Sequence, residues 1–374
     1  MSLPFNGERL REARRFRQLT IPQLAERIGV SKQMISKYEH DDAQPSAKNY
    51  QKIVLALKFP LSFFQEYNKF AYDNIGTFYR SRLTSTQTEK RPSEFLKKSL
   101  AILADLFEDY VDFPELKEID YLTEDPAEAA KKLRKFWRLG DKPISNMLHL
   151  LETHGFYIAS ISSLSEKVDA FGSQIKVNNR NYYCILVDQD NNSFYRQQFS
   201  LAHELGHWIL HSEKIDPQEL DSQEYREMEN QANIFASNFL LPTKAFTTDV
   251  EKKVTDLDHY LLLKKKWNVS AASMVYRARS LNLLSADDYV RLQKRMSSRG
   301  WRKKEPFDTV HAISRPVMLK QAFELLVGAD IIGQTTIMDL LERKYQFSIP
   351  VDIISELLGV PVQSLSSGRI VSLK

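Results

Sequence analysis

A single cysteine, Cys184, is present among 374 residues. No disulfide can form within the chain, which excludes a small disulfide-stapled scaffold. No stretch approaches the roughly 20 consecutive apolar residues that span a bilayer. The amino terminus, MSLPFNGERLREARR, lacks the apolar run of a signal peptide. Together these absences give the expectation of a cytoplasmic protein with no membrane segment. Internal repeats of fixed period and low-complexity tracts are missing too.

What is present is ordinary globular material. Hydrophobic residues make up 43% and charged residues 27% of the chain, enough to build packed cores. The length exceeds what one core usually serves, so two or three domains are expected. Net charge is only +4, yet residues 1–60 hold eleven Lys/Arg against six Asp/Glu. The basic excess therefore lies at the front.

Periodicity gives four short helices in the first sixty residues, from RLREARRFRQL, TIPQLAERIG, SKQMISKYEH and NYQKIVLALKF. Thr20 and Gln23 have capping-box spacing, and Gly29 sits where the second helix must end. Residues 61–92 read as an aromatic stretch followed by a polar linker. Helical spacing resumes from Ser93 to Leu151. FYIASI, AFGSQIKV and YYCILVD then have strand length and composition, and form the only stretch that reads as a sheet. Helices follow to about Ser280, and residues 315–374 give short helices with a strand or two at the end. The fold class expected is mainly α with a small β-sheet (α+β). The domain boundaries expected are 1–70, a helix-turn-helix domain; 71–124, a helical connection; 125–295, the domain that holds the sheet; and 296–374, a helical extension. That extension carries no chemical signature, and is expected to cover a cleft or to pair two subunits in a homodimer.

The chemistry concentrates in FSLAHELGHWILH, where His203, Glu204 and His207 read H-E-x-x-H. Residues four apart on a helix project from one face, so His203 and His207 can share one ion. In such a site two imidazoles bind Zn²⁺ and the glutamate acts as a base for water rather than as a ligand. A catalytic zinc needs a third protein ligand. REMENQANIFASNFLLP supplies carboxylates twenty-odd residues downstream. Glu229 shares a helical stripe with Ala232, Ala236 and Leu240 that would face the first helix. Glu224 and Glu227 offer the same chemistry, but Glu227 lies about 200° from Glu229 around a helix and would face solvent. Ala202 and Gly206 suit close packing of the first helix. His211 extends the series by a further turn and reads as a surface or packing residue. His149, His154 and His259 have no supporting spacing. The bland alternative is a helix that holds two histidines by chance.

The run from FYIASI through RQQFSLAHELGHWILH to ENQANIFASNFLLP resembles the ImmA/IrrE family of zinc metallopeptidases. That family carries H-E-x-x-H followed by a helix that reads here Glu229, Ala232, Asn233, Phe235, Ala236, Leu240, Leu241 and Pro242. The resemblance covers about residues 125–285. It implies a zincin-like metallopeptidase domain, with His203, His207 and Glu229 as ligands of Zn²⁺ and Glu204 as general base and acid. It also implies a protein substrate, often a helix-turn-helix repressor cleaved under stress or in mobile-element control. Tyr182, Tyr183, Tyr195 and Arg196 are equal candidates to stabilise an oxyanion.

Residues 20–39 have the shape of a helix-turn-helix. Ala25 allows close crossing, Gly29 turns the chain, and Leu24, Val30 and Ile35 form the small core. Ser31, Lys32, Gln33, Ser36 and Lys37 remain exposed on the second helix, where Gln suits adenine and Lys suits guanine or phosphate. Over residues 6–60 the segment resembles the Xre and lambda-repressor family, which implies double-stranded DNA as a partner. It departs from that family at Ile21, where a Gln commonly follows the Thr. Such units also serve as protein-docking modules. Lys264 to Lys266, Arg277 and Arg279 read as solvated helix faces. The expected whole is a DNA-targeted zinc endopeptidase acting on a repressor or on itself. Two other readings compete with it: a transcriptional regulator whose metal site is structural or sensory, and an adaptor that uses both halves for protein contacts.

Overall fold

The computed structural model describes residues 4–65, 71–79, 87–117, 119, 123–162, 170–189, 193–211 and 220–365. Within 72–79, within 87–93 and at residue 334 it describes the backbone alone. The chain opens with α1 (Gly7–Phe16), α2 (Ile21–Ile28), α3 (Lys32–Glu39) and α4 (Ala47–Leu57). Each starts on a residue whose side chain accepts orphan backbone N–H groups: Asn6, Thr20, Ser31 and Ser46. Thr20 and Gln23 close a capping box, and Gly29 takes φ +70° to end α2. Leu10, Leu24, Ile28, Ile35, Ile53 and Leu57 fill the interior. Glu39 at the end of α3 is buried. It receives Arg14 Nη2 at 2.9 Å, and the same guanidinium donates to the carbonyl of Leu19 at 2.8 Å. This desolvated pair ties α1 to α3, and losing either partner would strand the other charge.

Four strands form one sheet in the order β1 (Tyr72–Tyr79), β3 (Ala170–Val177), β4 (Arg180–Asp188), β2 (Tyr157–Ile161). β3 and β4 make an antiparallel hairpin with Val177 opposite Arg180, and Asn178 supplies the positive φ of its tight turn. β2 runs parallel to β4. The expected strands FYIASI, AFGSQIKV and YYCILVD are β2, β3 and β4. The fourth strand corrects the reading of 71–124 as helical connection. β1 pairs antiparallel with β3 from Tyr72↔Val177 to Tyr79↔Phe171, with a bulge between Asn74 and Gly76. Its sequence, YDNIGTFY, carries Asp, Asn and Gly, which are poor strand formers, so the partner edge makes it a strand rather than its own propensity. Residues 80–86 of the expected connection lie outside the described residues.

Alternation divides the sheet into two faces. Tyr157, Ala159, Phe171, Tyr182, Cys184 and Leu186 pack with α5 (Gln87–Phe107), whose residues from Phe95 to Phe107 are buried on all sides. The same interior takes in α1–α4 and the tail helices α14 (Met318–Gly328), α15 (Ile331–Gln334), α16 (Ile337–Tyr345) and α17 (Val351–Leu358). Phe95 lies 4.9 Å from Phe16 and 5.9 Å from Phe347 between ring centroids, so one aromatic cluster joins all three regions. Arg17 reaches Asp352 at 3.3 Å across the same junction. The tail thus covers α5 and β2, away from the face that carries the histidine helix. Among its described residues the only β pairing is an isolated bridge, Ile332↔Thr335, and residues 366–374, the end where a strand is expected, lie outside the described residues.

Ile158, Tyr183, Ile185 and Val187 point to the other face. There they meet α6 (Pro126–Phe136), α7 (Met147–Glu152), α8 (Phe194–His211), α9 (Ser222–Leu240), α10 (Thr243–Val250), α11 (Leu257–Trp267), α12 (Ala271–Ser280) and α13 (Ala286–Ser298). Lys264 and Arg277, expected on solvated faces, are buried. Lys264 Nζ pairs with Glu305 at 2.9 Å, and that carboxylate also accepts the N–H groups of Ala271 and Ala272 at the start of α12. Arg277 donates to Asn238 Oδ1 at 2.6 Å and to Thr243 at 2.9 Å, and burial lowers its pKa to about 10.

Candidate metal centre

α8 is buried along nearly its whole length, so its polar side chains must be satisfied by protein groups. α9 lies against it at the distance a glycine allows. A Cβ on Gly206 would meet Phe235 at 3.1 Å and the Ala232 backbone at 3.2 Å. α9 starts on Asp221, whose capping box is closed by Glu224. That occupies Glu224, and Glu227 is exposed. Glu229 instead turns inward on the stripe shared with the buried Ala232, Ala236 and Leu240.

Three side chains converge. His203 Nε2 and His207 Nε2 lie 3.0 Å apart. Glu229 Oε2 is 3.4 Å from the first and Glu229 Oε1 is 3.3 Å from the second. One possible ligand atom from each falls within 4.8 Å of the others, the only such group of His, Cys, Asp or Glu among the described residues. Both imidazoles are fully buried.

The partners of the opposite ring nitrogens assign the protons, because an amide oxygen only accepts. His203 Nδ1–H donates to Asn233 Oδ1 at 3.1 Å, which leaves Nε2 with a lone pair. His211 Nε2–H donates to Gln231 Oε1 at 3.0 Å, so its Nδ1 accepts from His207 Nδ1–H at 3.1 Å. His207 Nε2 then carries a lone pair as well. Two lone pairs and a carboxylate meet at one point, and Glu229 Oε1 is buried with no hydrogen-bond donor. Burial alone would raise the Glu229 carboxyl, but the two imidazoles, protonated on Nε2 when no cation takes their lone pairs, hold it well below the usual carboxylate range. A cation satisfies all three groups at once, and the N, N, O set at this spacing fits zinc. His211, read as a surface or packing residue, is buried and orients His207 from the side away from the cluster. Asn233 and Gln231 have the same orienting part. The i, i+4 spacing of His207 and His211 was the available signal. Gln231 left none.

Glu204 is almost fully buried. Its Oε2 accepts the backbone N–H of Gly172 on β3 at 2.6 Å, which fixes its carboxylate against the sheet. Gly172 must be glycine: an added Cβ would sit 2.7 Å from the Tyr183 hydroxyl and 3.1 Å from Glu204 Oε2. A glycine inside AFGSQIKV is the sign of such close approach. The four oxyanion candidates separate. Tyr182 points to the opposite face and donates to Asp105 at 2.8 Å. Arg196 donates to the Arg302 carbonyl at 2.8 Å, and Tyr195 packs beside Lys264 and His311. Only Tyr183 touches the Glu204 neighbourhood, and burial together with the Glu204 charge raises its pKa, keeping the phenol protonated. His154 stacks on Trp137 and His259 binds the Asp249 carbonyl. In the front domain Ser31, Lys32, Gln33 and Lys37 are exposed on α3 and Ser36 is half-buried, while Ser31 also caps the helix.

Residues 7–64 match the family model of a helix-turn-helix domain, and residues 151–279 match that of the IrrE N-terminal-like domain, a peptidase family. No curated protein matches the chain. None of the helices among the described residues is long and apolar enough to cross a membrane. With the converging triad of α8 and α9 inside the second matched region, the chain is a helix-turn-helix domain fused to an ImmA/IrrE-type domain.

Proposed function

We propose that the protein is a zinc endopeptidase joined to a DNA-binding domain, and that it cleaves a transcriptional repressor or itself to control gene expression. The observation that carries this reading is the meeting of His203 Nε2, His207 Nε2 and Glu229 at one point, with both imidazole tautomers set from behind. His203, His207 and Glu229 would hold the ion. Bound there, Zn²⁺ supplies Lewis acidity to a substrate carbonyl and to water. Glu204, anchored by the Gly172 N–H, takes a proton from water and passes it to the leaving amine. Its buried surroundings exclude bulk solvent and keep that proton local. The experiment pairs metal analysis with cleavage of co-encoded repressors. Wild type is expected to carry one zinc, His203→Ala none, and Glu204→Gln one zinc with turnover reduced about 10²–10⁴-fold. Full cleavage by Glu204→Gln would leave the reading of a regulator with a structural or sensory metal.

The same proposal assigns Ser31, Lys32, Gln33, Ser36 and Lys37 to double-stranded DNA, with α3 in the major groove. A homodimer placing two such helices one turn apart belongs to this reading, and sedimentation of the DNA complex measures it. Lys32→Ala is expected to weaken binding to all sequences and to lower the salt slope by about one. An unchanged slope would point to a protein partner.

A further inference from the structure

β1 does not belong to the matched peptidase region. That region begins at residue 151 and contributes β2, β3 and β4. In it β3 is an edge strand, with one row of backbone N–H and C=O groups open. β1 comes from 72–79, between the DNA-binding helices and α5, and fills that edge. Ala71 exchanges two hydrogen bonds with Asn178 in the β3–β4 turn, through Asn178 N–H to the Ala71 carbonyl at 2.8 Å and Ala71 N–H to Asn178 Oδ1 at 3.3 Å. From this anchor the strand runs antiparallel until Phe78 stands opposite Gly172. Gly172 is the residue whose N–H binds the Glu204 carboxylate. A strand on the β3 edge lies about 4.8 Å away, so the backbone of 77–79 passes beside the group assigned as the base. Pairing is through the backbone, does not depend on sequence, and is interrupted by the bulge at Ile75. Another extended polypeptide can therefore exchange with it.

We infer that Tyr72–Tyr79 is an internal ligand of the peptidase groove, a segment of the chain lying where an extended substrate would lie, so that a protein substrate binds by displacing it. This rests on the peptidase reading for the word substrate, but the occupancy can be tested apart from it. Two chains are compared, both carrying Glu204→Gln so that nothing is turned over. One keeps the native strand, and in the other residues 72–79 are replaced by Gly and Ser at equal length. The probe is a fluorescein-labelled synthetic peptide, AYDNIGTFYR, read by anisotropy. The replaced chain is expected to bind it at least tenfold more tightly than the native one. Equal binding, or none by a replaced chain that keeps the native circular dichroism, overturns the inference. Asp73→Pro, at the paired position two residues on from the bonded Ala71–Asn178 pair, gives the same contrast if the full replacement does not fold. Hydrogen exchange on the unaltered chain needs no variant. β1 amides should exchange at least tenfold faster than those of β4, and equal protection overturns the inference. With Glu204 restored and zinc added, peptide bound only by the replaced chain but left uncut would keep the internal ligand and sink the peptidase. Equal cleavage by both chains would do the reverse.

Discussion

Tyr182 and Tyr183 are neighbours on β4 and look into two different buried polar clusters. On the Tyr182 side, Asp105 accepts hydroxyl hydrogens from Tyr182 at 2.8 Å and from Tyr345 at 2.5 Å, with Lys344 at 3.1 Å. Burial and the Asp105 charge raise both phenols, so they stay protonated as donors. Donors and acceptors there match, and the cluster staples α5, β4 and α16 together. On the Tyr183 side three acceptors meet with their donors already spent elsewhere. Burial and polarity are similar. Hydrogen-bond completeness differs, and it separates a structural cluster from one that calls for a cation.

The sharpest way to break this contrast is to remove one carboxylate from each side. Glu229→Ala is expected to drop bound zinc from one equivalent to below about a tenth, because two imidazoles alone make a weak site. Asp105→Ala should keep its zinc and lose about 1–3 kcal/mol of stability in denaturant titrations, since the buried Tyr345 hydroxyl loses its acceptor while Lys344 keeps Asp109 and Tyr182 keeps Glu108. Loss of zinc in the second variant would mean the two faces are not independent. Asn233→Ala leaves all three ligands but frees the His203 ring, and zinc affinity measured by chelator competition should fall about 10–100-fold.

Lys97 sharpens the comparison by pH. It is fully buried on α5 near Cys184, and burial outweighs the Glu94 and Cys184 charges to bring its pKa down to about 7. A lysine lowered in the folded state costs stability while both states are protonated, and that cost fades as pH rises from 7 towards 10.5. Stability of the Tyr182 side should therefore grow by roughly 1 kcal/mol between pH 7 and pH 8, with the gain absent from Lys97→Met. Smallest of all, Tyr182→Phe should cost about 1 kcal/mol, one hydroxyl bond to Asp105, without altering metal content.

Much of the site was legible because its geometry is local. The i, i+4 pair and the stripe from Glu229 to Leu240 follow from helix periodicity, and α8 and α9 pack as the small residues Ala202, Gly206 and Ala232 require. The helix-turn-helix was legible for the same reason, through Thr20, Gln23 and Gly29. What escaped was set by contacts distant in sequence. β1 has no strand pattern of its own, and only the unfilled edge of β3 accounts for it. Lys264 and Arg277 look like surface cations until Glu305 and Asn238 come within reach. Tyr182 and Tyr183 offer the same chemistry on paper, and the pleat sends them to opposite faces.

The aromatic junction of Phe16, Phe95 and Phe347 has a thermodynamic consequence. Because the DNA-reading helices, α5 and the tail share one apolar interior, the N-terminal unit should not melt as an independent bead on a tether. A calorimeter should record it within the same cooperative endotherm as the sheet, so a ligand that binds the N-terminal helices would raise the melting temperature of the sheet-bearing half as well.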